Sequence, residues 1–155
     1  MPATDWGIEH EDEARRLFAF ETGLKVEAPP IWIEHHSMPE LACSPDGLSA
    51  GGNPVEIKCP YNPDIHQQHR AGTPEEYYLQ IMFQCWIMVA SHGWFVSYDP
   101  RACNGAGSLV YRQHPRDNAV IQKLETRTRE LREHLLNNTE PEVLDLTAGK
   151  LPTLF

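Results

Sequence analysis

Ser44-Pro45-Asp46-Gly47-Leu48, followed at a short interval by Pro54-Val55-Glu56-Ile57-Lys58-Cys59, decides how this chain folds. The second run reads as a strand, in which alternate side chains leave opposite faces. Glu56 and Lys58 then share one face, while Val55, Ile57 and Cys59 point to the other and can enter a core. Between the two runs, Gly51-Gly52-Asn53 supplies residues that tolerate positive φ, so a hairpin is expected to fold Asp46 back beside Glu56. Two carboxylates and an ammonium would then converge. Hard anionic oxygens suit Mg²⁺ or Mn²⁺, which keep several waters and take further ligands from substrate phosphates. That combination serves phosphodiester hydrolysis, with Lys58 orienting the nucleophile or neutralising charge on phosphorus. The plainer alternative is a surface hairpin carrying a cross-strand ion pair.

Working outward, Thr73-Pro74-Glu75-Glu76 has the form of a helix start, with Thr73 at N-cap, Pro74 at N1 and Glu76 at N3. The pattern runs through Val89-Ala90-Ser91-His92 and stops at Gly93. Gln80 and Gln84 fall on one face of it, among Tyr77, Ile81, Ile87 and Met88, with Met82, Cys85, Trp86 and Val89 extending the apolar surface. An amide on a mostly buried helix needs a partner, either a structural hydrogen bond or a contact with a metal-bound water or a phosphate. Nearer the start, residues 6–18 predict a helix closing at Gly23, with Ala14, Leu17, Phe18 and Phe20 inward. Glu11 falls on that inward side. Two readings stand for it: an ion pair with Arg15 or another base, and a role at the metal centre.

The rest of the chain is organised around these segments. Val26 to Ala28 and Ile31 to His35, interrupted by Pro29-Pro30, suggest an edge strand or two short strands. Leu41 to Cys43, Leu48 to Ala50 and Val55 to Cys59 continue the sheet. Pro60 to Gly72 reads as a long polar loop, carrying Arg70. Trp94 to Tyr98 and Leu109 to Arg112 form a strand pair across Asn104-Gly105-Ala106-Gly107. Asp117 caps a last helix with Val120, Ile121, Leu124, Leu131 and Leu135 as its buried stripe, ending near Asn137-Asn138. Arg127, Arg129 and Arg132 alternate there with Glu125, Glu130 and Glu133, which fits a solvated face with local ion pairs. The architecture expected is α/β, a central mixed sheet flanked by helices, over residues 1–143, with Leu144 to Phe155 as a disordered or loosely packed tail, the alternative being a segment that docks on a neighbouring subunit or partner.

Composition narrows the function classes. The 155 residues carry 13 Lys and Arg against 22 Asp and Glu, a formal net charge of −9, which argues against indiscriminate DNA binding by the whole surface. Arg70, Arg101, Arg112 and Arg116 are the candidates for a basic face. No apolar run approaches a membrane span and no basic-plus-apolar leader is present, so an intracellular protein is expected. Cys43, Cys59, Cys85 and Cys103 are widely spaced and read as reduced packing residues. His35-His36, His66 and His69 match no standard transition-metal spacing.

Taken together these motifs resemble the lambda exonuclease or YqaJ-like viral recombinase family, a branch of the PD-(D/E)xK nucleases with a restriction-endonuclease-like core. The similarity runs through Trp6-Gly7, Glu11-x-x-Ala14-Arg15-x-Leu17-Phe18, Gly23, Ala42-Cys43-Ser44-Pro45-Asp46-Gly47-Leu48, Glu56-x-Lys58-Cys59-Pro60, Arg70, Gln80, Trp86 and Tyr98-Asp99-Pro100-Arg101. The resemblance implies that Asp46, Glu56 and the Ile57 carbonyl ligate metal, with Glu11 close by. Lys58 would be the catalytic lysine, Gln80 the motif glutamine, and Arg70 a basic position near the DNA path. Gln84 falls outside the matched positions. It further implies a Mg²⁺-dependent enzyme, with Mn²⁺ as a substitute, that degrades one strand of linear double-stranded DNA from the 5′ end in phage-type recombination. A three-subunit ring, a single-strand annealing protein as partner, and the cytoplasm of a bacterial host of a phage or prophage are implied by the same resemblance. The family's longer segment ahead of the tryptophan-glycine pair, which grips the 5′ phosphate, is represented here by Met1 to Asp5 alone. The resemblance therefore carries the chemistry further than the direction of cutting. An endonuclease with the same centre, or an assembly subunit on the nuclease fold, are the alternatives.

Overall fold

The structure, a computed structural model, describes residues 3–102 and 108–137. The expected turn at Asn104-Gly105-Ala106-Gly107, Cys103, Asn138 and the tail from Leu144 lie outside the described residues. The chain falls into two compact units, Met1–Arg116 and the part beginning at Asp117.

In the first unit the elements run in the order α1 (Ala3–Thr22), β1 (Val26–Glu27), β2 (Ile33–His35), β3 (Met38–Cys43), β4 (Gly47–Ser49), β5 (Asn53–Lys58), α2 (Pro63–Ala71), α3 (Glu75–Met88), β6 (His92–Tyr98) and β7 (Leu109–Pro115). Five strands form a mixed sheet in the order β1-β4-β5-β6-β7, where β5 and β6 run parallel and the other pairs antiparallel. The parallel pair is allowed because α2 and α3 make the crossover between its strands. β2 and β3 do not continue this sheet, as the sequence had suggested for Leu41 to Cys43. They form a separate two-stranded ribbon, because Ser44-Pro45 breaks the chain before β4.

The two faces of the sheet obey the alternation along β5 and β6. Val55, Ile57, Val96 and Tyr98 face α1 and form a core with Ala14, Phe18 and Leu109. On the opposite face Glu56, Phe95 and Ser97 meet α2 and α3. This second face is charged yet buried, with Glu56 only 1% exposed. The hairpin turn is as expected, with Gly51 and Gly52 at φ +82° and +74°, values that L side chains rarely adopt. Gly93 is required for a different reason: a Cβ there would lie 2.4 Å from Ile81 Cγ2, so β6 can approach α3 only without a side chain.

Several boundaries differ from the sequence reading. α1 closes at Gly23 (φ +68°) as expected, but Phe20 is 85% exposed. α3 begins one residue later than the capping pattern suggested. Pro74 holds the cap position, and Thr73 Oγ1 lies 2.8 Å from His114 Nε2 instead of capping the helix. The helix stops at Val89, in the left-handed conformation, because His92 and Gly93 belong to β6. The supposed loop from Pro60 to Gly72 contains α2, capped by Asn62 with Pro63 in its first turn.

The second unit holds α4 (Asn118–Leu136), capped by Asp117, whose side chain accepts from the Ala119 and Val120 amides. Val120 and Ile121 are buried, whereas Leu131 and Leu135, expected in the buried stripe, are 47% and 68% exposed. Arg127–Glu130 and Arg129–Glu125 form the expected surface ion pairs.

Candidate active site

The short β4–β5 hairpin ends where Asp46 meets β5. The Asp46 amide donates to the Val55 carbonyl (3.0 Å), and Asp46 Oδ2 accepts from the Ile57 amide (2.7 Å). A strand residue presents its N–H and C=O on the same edge, so the Ile57 carbonyl leaves β5 on the Asp46 side. Arg15 of α1 secures the loop from below: its Nε donates to the Asp46 carbonyl (2.7 Å) and its Nη2 to Glu11 Oε1 (2.6 Å). Glu11 therefore has its ion pair, and through it stands next to Asp46. Asp46, Glu11, Ile57 and Lys58 line one cavity of about 510 Å³, together with Tyr61, Ile65, His69 and Tyr77.

Glu56 does not line that cavity. Its Oε1 accepts from Lys58 Nζ and from Gln80 Nε2 (2.7 Å), and its Oε2 accepts from Gln84 Nε2 (2.6 Å). Both glutamines thus hold the same carboxylate. The matched position Gln80 and the unmatched Gln84 act alike, and helical spacing plus burial was the available signal for the pair. Gln84 Oε1 is buried without a partner among the described residues. Lys58 also sits 4.9 Å from the centre of the Tyr77 ring. Burial works against its charge, but the Glu56 carboxylate, the bond to it and Asp46 outweigh that and raise its pKa. Asp46 is shifted the other way in effect: burial, then the nearby Glu56 charge, push its carboxyl up to about 7, against the pull of the Ile57 amide and Lys58.

Among the described residues no group of three or more His, Cys, Asp or Glu side chains is arranged to hold a metal ion. The donor set nevertheless fits a hard dication. Asp46 Oδ1 bonds none of the described residues, the Ile57 carbonyl is directed to the same side, and the Glu56 and Glu11 carboxylates add negative charge close to Asp46.

The arginines expected to form a basic face are largely committed elsewhere. Arg101 pairs with buried Asp99, donates to the Tyr61 carbonyl (2.8 Å) and packs 4.4 Å from the Trp6 ring, which unites the first and last sequence motifs. Arg112 donates to the His69 and Arg70 carbonyls, and Arg116 to that of Cys85. Arg70 lies exposed on α2. Cys43, Cys59 and Cys85 are free thiols, and burial raises the pKa of each, so they stay protonated and pack. His66 and His69 are not loop residues: both are buried on α2 and reach Ser97.

The family model described as the YqaJ-like viral recombinase domain matches residues 1–91, which hold α1, the hairpin, Lys58 and α3. The chain belongs to the YqaJ-like viral recombinase family. Among solved structures, this YqaJ-like chain is similar to the alkaline exonuclease LHK-Exo of Laribacter hongkongensis. The identity is 28% and the TM-score 0.80, over 89% of this chain and 71% of that one. LHK-Exo in complex with dAMP matches at 31% identity and TM-score 0.82, over 89% and 70%. A phage related exonuclease from Haemophilus somnus 129PT shares the fold, at 16% identity and TM-score 0.62 over 81% and 66%. No curated protein sequence matches the chain. With this family and these neighbours, the YqaJ-like chain is a nuclease on the PD-(D/E)xK fold. No helix among the described residues is long and apolar enough to cross a membrane.

Proposed function

We propose that this YqaJ-like nuclease is a Mg²⁺-dependent exonuclease that hydrolyses phosphodiester bonds of linear double-stranded DNA, from 5′ to 3′, in phage-type homologous recombination. The observation that carries the reading is the meeting of Asp46, the Ile57 backbone, Lys58 and Glu11 on one cavity wall, with Glu56 locked behind them. Asp46 and the Ile57 carbonyl would hold the ion at the cavity wall with Glu11 beside them, and Glu56 would join them by turning an oxygen away from Lys58 and the glutamines that hold it in this structure; Mn²⁺ has the ligand preferences to substitute. When bound, the ion supplies an activated water and charge neutralisation at the phosphoryl group.

The chain's own residues do the rest. Lys58, kept protonated by Glu56, is a poor proton acceptor at neutral pH and serves instead as a fixed positive charge beside the scissile phosphate. Gln80 and Gln84 fix the Glu56 carboxylate, so its oxygens are oriented before substrate arrives. Arg15 ties α1 to the Asp46 loop and so sets Glu11 relative to the catalytic strand. Arg70 and Gln80 lie on helices flanking the cavity and are assigned to the DNA path. A three-subunit assembly, a single-strand annealing protein as partner and a bacterial cytoplasmic setting belong to the same reading.

Linear duplexes labelled at the 5′ or the 3′ end, digested with Mg²⁺ or with chelator, test it. Wild type is expected to release 5′ label first and to spare circular DNA, while Asp46→Ala and Lys58→Ala are inactive. Cleavage of closed circles would replace the end-dependent reading with an endonuclease. Undiminished cleavage by folded Asp46→Ala would overturn the site itself.

A further inference from the structure

One polar group on the cavity wall has no part in the reaction as assigned. His69 is 2% exposed on α2, and its ring is held edge-on by Phe95 at 5.3 Å and Tyr77 at 5.7 Å. Its Nδ1 lies 2.8 Å from Ser97 Oγ, and its carbonyl accepts from Arg112. The other ring nitrogen, Nε2, bonds none of the described residues. It is also not sealed off, since the described side-chain atoms that are both buried and unpartnered are Trp6 Nε1, Gln84 Oε1 and Trp94 Nε1. His69 lines the same cavity as Asp46 and Lys58. We propose that His69 is a substrate contact, whose Nε2–H donates a hydrogen bond to a non-bridging phosphate oxygen of the DNA strand in that cavity. The inference rests on the nuclease reading above and assigns a further residue to it.

Proton counting supports the donor role. Ser97 Oγ lies within hydrogen-bond distance of Nδ1 of both His69 and His66, the latter at 2.9 Å. A hydroxyl brings one proton and two lone pairs, so Ser97 either gives to one of the two imidazoles or receives from both. When Ser97 gives to His69 Nδ1, the imidazole proton resides on Nε2 and faces the cavity. Either assignment in which His69 Nδ1 gives to Ser97 would aim the Nε2 lone pair at a wall that already carries Asp46 and Glu11, and at a ligand that is a polyanion. Burial, together with His66, Lys58 and Arg112, lowers the His69 pKa to about 4, so the ring is neutral at physiological pH and contributes a hydrogen bond, not a charge. Clamped by two aromatic rings and a hydroxyl, the donor needs little reorganisation to meet a phosphate.

The test is histidine-selective nitrogen NMR on the full chain with Mg²⁺, titrated with thymidine 5′-monophosphate, beside kcat/KM for His69→Phe and His69→Gln on linear duplex. The Nε2-protonated tautomer is expected at pH 7, with its resonance moving on addition of the nucleotide. His69→Phe should lose about 10- to 100-fold in kcat/KM, the scale of a hydrogen bond to a charged acceptor, and His69→Gln should recover most of it. A bare Nε2, a resonance indifferent to nucleotide, or wild-type turnover by folded His69→Phe would overturn the proposal. Should the Phe variant not fold, the spectra of the wild type decide alone. Should wild type cut no DNA, the nuclease reading fails, and the tautomer and titration still decide the role of His69.

Discussion

Replacing Asp46 by Asn is expected to stabilise the metal-free protein at alkaline pH while abolishing cleavage. In the fold, burial and Glu56 raise the Asp46 pKa to about 7 from an ordinary 3.8. A raised acid favours the folded state while it is protonated. The benefit is therefore full below about pH 4 and is lost as pH rises through about 7, after which the ionised group weighs on the fold. A difference of about three pH units corresponds to about 4 kcal/mol at most. The cavity admits water to Asp46, which screens part of this, so about 2 kcal/mol is the reasonable expectation. For a chain of this length that is a rise of about 4–8 °C in Tm for Asp46→Asn over wild type at pH 8.5 in chelator. The amide oxygen of Asn can still accept from Ile57, so the hairpin contact is kept. The assay is thermal unfolding at pH 5, 7 and 8.5, with and without Mg²⁺. At pH 5 the gap should shrink to less than half of its size at pH 8.5, closing only below about pH 4, and Mg²⁺ should raise the Tm of wild type at pH 8.5 but not that of the variant. A wild-type Tm flat across this range in chelator, or a variant less stable at pH 8.5, would refute the account of a buried carboxylate whose ionisation weighs on the fold.

Lys58→Met should reduce kcat/KM by about 100-fold or more with little change in the pH profile, since a fixed charge and not a titrating base is removed; a lost alkaline limb would assign the lysine to proton transfer instead. Gln84→Leu takes the donor from buried Glu56 Oε2 and should cost about 1–3 kcal/mol in urea unfolding, towards the low end because the orphaned Oε1 leaves with it. Unchanged stability would mean that the amide does not hold the carboxylate. Gly93→Ala places a methyl 2.4 Å from Ile81 Cγ2 and should cost about 1–3 kcal/mol, with partial recovery when Ile81→Ala is added. Additive losses in that double variant would show that the contact is not the cause.

The parts of this molecule that were legible in the sequence are those whose local chemistry and tertiary surroundings demand the same thing. Gly51 and Gly52 suit only a tight turn, and Val55 and Ile57 alternate with Glu56 and Lys58 as a strand must, so the hairpin and its carboxylates could be placed from residues alone. α2 was missed because its buried face consists of His66 and His69, and a stripe of imidazoles held by Ser97 leaves no hydrophobic period to detect. Asn62-Pro63 was the available start signal, obscured by the polarity of the residues after it. Thr73 failed as a cap for a related reason: His114, distant in sequence, offers its side chain a competing bond. Phe20, Leu131 and Leu135 carried the right period but face outward, since periodicity shows which side of a helix could be covered and not how far the cover extends. Likewise Gln84 could be placed beside Gln80, but its hold on Glu56 depends on a strand twenty-eight residues away.

The charge distribution carries the argument one step beyond the site. A surface with a net charge of −9 repels DNA unless positive groups are gathered locally, and arginines were the obvious source. Yet Arg101, Arg112 and Arg116 spend their guanidinium groups on Asp99 and on backbone carbonyls, where they fasten α2, α3 and the Tyr98–Arg101 segment to the sheet. The charged groups lining the cavity are Lys58, with Asp46 and Glu11 beside it, and that balance is unfavourable to a phosphate until a dication is added. On the proposed mechanism the ion therefore creates the local potential that admits the strand, besides supplying chemistry to it. Thermodynamic linkage makes the coupling mutual: a cation that tightens DNA binding by some factor is itself bound more tightly by that factor once DNA is present. A weakly occupied metal site in the free protein and a firmly occupied one in the complex are then two aspects of the same excess of carboxylates over bases, and the buried Glu56 held by two glutamines is what keeps that excess in place between turnovers.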